Sequence, residues 1–141
     1  MFTVIIDSRE QHPYEFEKSV TKKLETGDYS LQGFETEVCV ERKTKSDAYG
    51  TIGRGRSRFI KELERMTELK YSAIVIESSL TSFLEPPNFS QLNPKSAIMS
   101  LITWSIRYNV HIFFADNRLM GNWLTLKILE KFGKEINGSV N

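Results

Sequence analysis

The chain has one cysteine, Cys39, and two histidines, His12 and His111, in 141 residues. One thiol cannot close an internal disulfide, and two histidines so far apart leave no Cys/His spacing for a structural zinc site. No charge of one sign dominates either: the formal net charge is +1, so the total says nothing for or against a polyelectrolyte partner. No apolar run approaches the roughly 20 residues of a membrane-spanning helix, and the opening MFTVIIDSRE turns acidic too soon for a secretory signal. The expectation is a soluble, cytoplasmic protein without a membrane partner. What is present suffices for a core: 40% of residues are hydrophobic, 11% aromatic and 26% charged, which excludes disorder and a miniprotein held by disulfides. The length is that of one domain.

Charge is uneven along the chain. Acids outnumber bases from Met1 to Glu41, whereas the stretch from Arg42 to Lys61 holds Arg42, Lys43, Lys45, Arg54, Arg56, Arg58 and Lys61 against Asp47 alone. The β-branched run Phe2 to Ile6 predicts a buried strand that ends at Asp7. Asp28 to Leu31 and Thr36 to Lys43, joined by a turn at Gly33, predict an antiparallel pair. From Thr44 the pattern turns helical, is interrupted by Gly50, Gly53 and Gly55, and resumes in SRFIKELERMTELK with Phe59, Leu63 and Met66 on one face. Tyr71 to Ile76 and Val110 to Phe114 predict strands. Asn93-Pro94 caps a helix running to about Arg107, and Asp116 or Asn117 caps a last helix that ends at Gly133. The order predicts an α/β domain, a mixed sheet flanked by helices. Residues 1–133 form the domain in this reading, and 134–141 are a flexible C-terminal tail.

Side chains at i and i+2 of a strand share a face, so Glu41 and Lys43 point together and Arg42 points away. Asp28, on the adjoining strand, and Asp7, at the end of the first, can bring two more carboxylates to the same place. Clustered acids repel unless a cation neutralises them, and oxygen ligands of this kind suit Mg²⁺ or Mn²⁺. A lysine beside such a cation can orient a water or balance phosphate charge, which is the equipment of phosphodiester hydrolysis. Arg54, Arg56 and Arg58, set among glycines, are suited to holding phosphates nearby.

These residues resemble the XPF/Hef type of structure-specific DNA endonuclease. Its pattern of G-D, a gap, then E-R-K-x-x-x-D is matched by Gly27-Asp28 and by Glu41-Arg42-Lys43 with Asp47. Asp7-Ser8-Arg9-Glu10 is similar to the family's D-x-R-E element, and Gly53-Arg54-Gly55-Arg56 with Arg58 and Phe59 to its arginine-containing segment. The resemblance implies a restriction-endonuclease-like fold, dependence on Mg²⁺ or Mn²⁺, and incision of branched DNA such as 3′-flaps, forks and nicked junctions, in repair or recombination. It also implies roles: Asp28, Glu41 and the backbone carbonyl of Arg42 as metal ligands with Asp7, Lys43 serving the water, and Glu10 and Asp47 completing the acidic site or its surroundings. Arg9 would sit at the edge of the site and touch DNA together with Arg42, Arg54, Arg56 and Arg58.

Family members usually carry a helix-hairpin-helix domain after the nuclease domain, whereas few residues follow Phe132 here. The expectation is therefore a stand-alone prokaryotic or phage-like version that works as a homodimer or with a DNA-binding partner subunit. Two rivals remain open at this point. One is a non-catalytic DNA-binding or scaffold subunit of a nuclease complex, and the other a Holliday-junction resolvase or restriction-like nuclease on the same fold. Glu77 reads as a capping or solvated acid, His111 as a core or edge residue, and Trp104 and Trp123 as packing residues.

Overall fold

Val38, Cys39 and Val40 are all buried, which an apolar run achieves only in a strand covered on both faces. The computed structural model describes residues 2–138, and in it this run opens β4 (Val38–Thr44) at the centre of a six-stranded sheet. The other strands are β1 (Val4–Asp7), β2 (Ser19–Lys22), β3 (Tyr29–Leu31), β5 (Tyr71–Glu77) and β6 (His111–Phe114), in the order β2-β1-β3-β4-β5-β6. β3 runs antiparallel to both β1 and β4, whereas β1 with β2, β4 with β5 and β5 with β6 are parallel. The sheet is mixed, as the element order predicts.

Five helices cover its two faces: α1 (Lys45–Ile52), α2 (Arg56–Met66), α3 (Leu80–Phe83), α4 (Pro94–Arg107) and α5 (Arg118–Ile136). Cys39, Ile74 and Ile76 pack on one side with Tyr49, Phe59, Leu63, Leu101 and Trp104 from α1, α2 and α4. Val38, Val40, Ala73 and Val75 pack on the other with Tyr29, Leu31 and Leu129 of α5. Thr44 caps α1 by accepting from Asp47 N, and Asn93 caps α4 with Pro94 in the first turn. Asn117, rather than Asp116, caps α5.

Three features differ from the sequence reading. β2 is exposed at all four residues, so it has no apolar face to betray it. α3 is a single turn capped by Ser79. The last helix does not stop at Gly133 but continues to Ile136. A Cβ at Gly133 would lie 2.6 Å from the Phe2 ring, so this glycine is a packing residue and not a helix stop. Part of the segment expected to be a flexible tail is thus helical, and residues 139–141 lie outside the described part. Among the described residues no helix is long and apolar enough to cross a membrane.

Candidate active site

The end of β1, the start of β3 and the middle of β4 meet on the face covered by α1 and α2. Gly27 makes this possible. Its φ is +82° and a Cβ there would lie 2.6 Å from Cys39 Cβ, so a residue with a side chain would be both strained and in collision. The turn delivers Asp28, whose N–H donates to Val40 O at 3.0 Å and whose carbonyl accepts from Asp7 N at 2.8 Å. Arg42 N then donates to Asp28 Oδ2 at 2.8 Å, fixing the carboxylate against β4. Glu41 and Lys43, two apart, share the same face as expected, with Lys43 Nζ 3.6 Å from Glu41 Oε2 and 4.9 Å from the centre of the Phe59 ring.

Burial disfavours charge on both acids. It pushes Asp28 up to about 6, against the hydrogen bond from Arg42 N and with added repulsion from Glu10 and Asp7. Burial also lifts Glu41 well above the usual carboxylate range, and the neighbouring Asp28 adds to this while Lys43 opposes it. Asp7 behaves oppositely. Burial raises it, but hydrogen bonds from Arg9 and from Leu24 N outweigh burial and hold it below its ordinary value. Arg9 Nε is 2.9 Å from Asp7 Oδ2, and Leu24 N is 2.8 Å from Oδ1.

A cavity of about 590 Å³ opens over these groups. Of the residues singled out in the sequence, Asp7, Arg9, Asp28, Glu41, Lys43, Asp47 and Arg58 line it. The structure does not bring the others there. Arg56 reaches back to Ile52 O at 3.2 Å and Ser100 Oγ at 3.0 Å, with its guanidinium over Trp104. Arg54 is exposed but does not line the cavity. The Arg42 side chain and Glu10 lie toward the opposite face of the sheet, as the alternation of β4 requires for Arg42.

Comparison with known proteins identifies the family and the fold. The ERCC4 domain family matches residues 6–126. The chain belongs to the ERCC4 domain family. Two solved structures share its fold: XPF from Aeropyrum pernix, 20% identical with a TM-score of 0.73 over 93% of this chain and 61% of that one, and the same protein in complex with DNA, 20% identical with a TM-score of 0.74 over 96% and 66%. The ERCC4 domain thus spans less than two thirds of the length of the first. No curated protein matches it in sequence. The expected restriction-endonuclease-like architecture is the XPF nuclease fold that these structures share, in a single small domain.

Behind the sheet the ERCC4 domain carries a polar network that the sequence reading did not anticipate. Arg42 Nε donates to Glu77 Oε2 at 2.7 Å, and its Nη1 donates to His12 O at 3.1 Å and lies 3.6 Å from Glu10 Oε2. The Tyr14 hydroxyl donates to Glu77, and Tyr29 OH to Glu10 Oε2 at 2.7 Å. Glu77 is therefore neither a cap nor a solvated acid. The signal available in sequence was its position directly after the apolar run Ala73–Ile76, where a carboxylate needs a partner. Glu25, Glu62 and Arg65 also line the cavity without having been singled out. Glu62 follows Phe59 by three residues, at the edge of the buried stripe of α2, which is the one hint its sequence position offers.

Proposed function

We propose that this ERCC4 domain is a Mg²⁺- or Mn²⁺-dependent endonuclease that hydrolyses phosphodiester bonds in DNA, at single-strand/double-strand junctions such as 3′-flaps, forks and nicked junctions, in repair or recombination. The observation that carries this reading is the meeting of two half-buried, mutually repelling carboxylates, Asp28 and Glu41, beside Lys43 on the floor of a cavity with Arg9, Arg58 and Arg65 among its lining residues. Membership of the ERCC4 family supports nuclease chemistry. The relative solved in complex with DNA supports DNA as the partner.

The donor set fits a hard divalent cation, because acids lifted by burial and mutual repulsion gain most from a positive charge between them. Among the described residues no three His, Cys, Asp or Glu side chains converge to enclose a metal by themselves. Asp28 and Glu41 would hold it with the Arg42 carbonyl, leaving positions for water and phosphate oxygens, as Mg²⁺ prefers. Asp7, expected as a further ligand, has both oxygens engaged by Arg9 and Leu24 N and serves instead to brace the β1 end. When bound, the cation would supply Lewis-acid stabilisation of the phosphate and lower the pKa of a water.

The chain's own groups do the rest. Lys43, held between Glu41 and the Phe59 ring, presents its ammonium to the attacking water or to a phosphate oxygen. Arg9 and Arg58 are placed at the cavity to hold flanking phosphates. The water oxygen joins phosphorus as the bond to the 3′-oxygen breaks and that oxygen takes a proton, leaving 5′-phosphate and 3′-hydroxyl ends. End-group analysis of the products tests this: 3′-phosphate ends would overturn it.

A further inference from the structure

Glu62 is an acid on a helix otherwise rich in solvated charges, yet its side chain is only 18% exposed. Its two oxygens have separate partners. Oε2 accepts the backbone N–H of Gly27 at 3.0 Å, and Oε1 accepts from Arg65 Nη2, one turn further along α2. The Gly27 N–H belongs to the turn that delivers Asp28, and on the far side Gly27 is already in close contact with Cys39. The turn is therefore held from below by β4 and from the side by α2, to which the Glu62 side chain ties it by a hydrogen bond.

Given the nuclease reading above, on which this rests, we propose that Glu62 is a positioning residue: through its hydrogen bond to Gly27 N–H it sets where the Asp28 carboxylate stands relative to Glu41, with Arg65 orienting its carboxylate. The arrangement has a physical logic. Asp28 and Glu41 repel each other, a repulsion opposed by Lys43 and by the Arg42 N–H on Asp28, and the Glu62 bond adds a restraint on the turn itself from the side of α2. A side-chain oxygen of the right reach that accepts a backbone N–H restrains such a turn, and outer partners of this kind hold ligands in place for a metal. Glu62 also lies close enough to raise Glu41 by repulsion; its net effect on the pair is therefore geometric support set against an electrostatic cost.

The test uses three variants. Glu62→Gln keeps an acceptor of the same length, Glu62→Asp keeps the charge but is one methylene shorter, and Glu62→Ala removes both. Ca²⁺ or Mn²⁺ affinity by calorimetry, kcat and KM for DNA, and hydrogen exchange of the Gly27 amide are measured for each. The expected result is about a 10- to 100-fold loss of metal affinity and a lower kcat with little change in KM for Ala and Asp, faster exchange at Gly27, and recovery of all three in Gln. The proposal is overturned if Asp behaves as wild type while Gln is impaired, since charge would then matter and reach would not, or if Ala binds metal normally. Should wild type bind metal at Asp28 yet cut no DNA, the nuclease reading fails while the metal affinities still decide the role of Glu62. If Ala does not fold, the Gln and Asp pair decides alone.

Discussion

Arg42 faces two ways across the sheet: its backbone N–H holds Asp28 Oδ2 at 2.8 Å on the cavity side, while its guanidinium donates to Glu77 Oε2 at 2.7 Å on the other. One residue of β4 therefore joins the candidate metal site to the buried network of Glu77, Glu10, Tyr14 and Tyr29. The sequence reading placed this side chain on DNA. The alternation that puts Glu41 and Lys43 in the cavity turns it to the opposite face, onto Glu77 and His12 O.

Arg42→Ala leaves Glu77, whose side chain is 7% exposed, without its cation. Removing one member of such a pair costs about 3–5 kcal/mol, so a large drop in melting temperature is expected. DNA affinity of the folded fraction should change less than threefold. A variant of normal stability that loses DNA affinity tenfold would place the guanidinium on DNA after all.

Asp28 sets a pH dependence whose sign follows from its direction of shift. Its folded-state pKa, about 6, lies above the ordinary value of 3.8. Such a group costs the fold nothing below the lower value, costs progressively more between the two, and costs its full amount above the higher one. Without divalent cations, Asp28→Asn should therefore melt several degrees above wild type at pH 7.5, with the gap closing near pH 4. Added Mg²⁺ should raise wild type and leave the variant unmoved. Parallel melting curves across this pH range would contradict the assignment.

The arginines divide by position. Arg58 lines the cavity, whereas Arg56 is spent on Ile52 O, Ser100 and the Trp104 ring. Arg58→Ala should weaken DNA binding across all sequences and lower the salt slope by about 1. Arg56→Ala should instead lower the melting temperature with little effect on the slope. Fluorescence anisotropy at several salt concentrations separates the two outcomes, and a reversed pattern would contradict the placement.

Gly133→Ala opposes two effects. Helix propensity alone favours alanine by up to about 1 kcal/mol. The new methyl, however, would stand 2.6 Å from the Phe2 ring and 3.1 Å from Leu31, and overpacking of this kind costs about 1–3 kcal/mol. Net destabilisation is expected by thermal or urea unfolding, and a stabilised variant would mean that Phe2 moves aside freely.

Much of this was legible in the sequence where one physical rule decided the outcome. β1, the opening of β4 and most of β5 and β6 are short apolar runs, and such runs have few alternatives to a strand. The two-residue period of β4 put Glu41 and Lys43 together before any contact was known. β2 was not legible because Ser19–Lys22 is exposed throughout and owes its place to backbone pairing with β1. Gly133 misled because a glycine near a helix end fits a stop signal, and only the position of Phe2 shows its other purpose. Glu77, Glu62 and Glu10 depended on partners 35, 35 and 19 residues away, a separation no local pattern encodes.

The most direct test of the central claim is cleavage of end-labelled 3′-flap, 5′-flap, fork, four-way junction and plain duplex DNA with Mg²⁺, Mn²⁺ or EDTA, alongside Asp28→Ala and Lys43→Ala. Metal-dependent cutting that favours the junction substrates and vanishes in both variants, which stay folded and keep most of their DNA affinity, is expected. Cutting that persists in EDTA, or in Asp28→Ala with metal present, would contradict it.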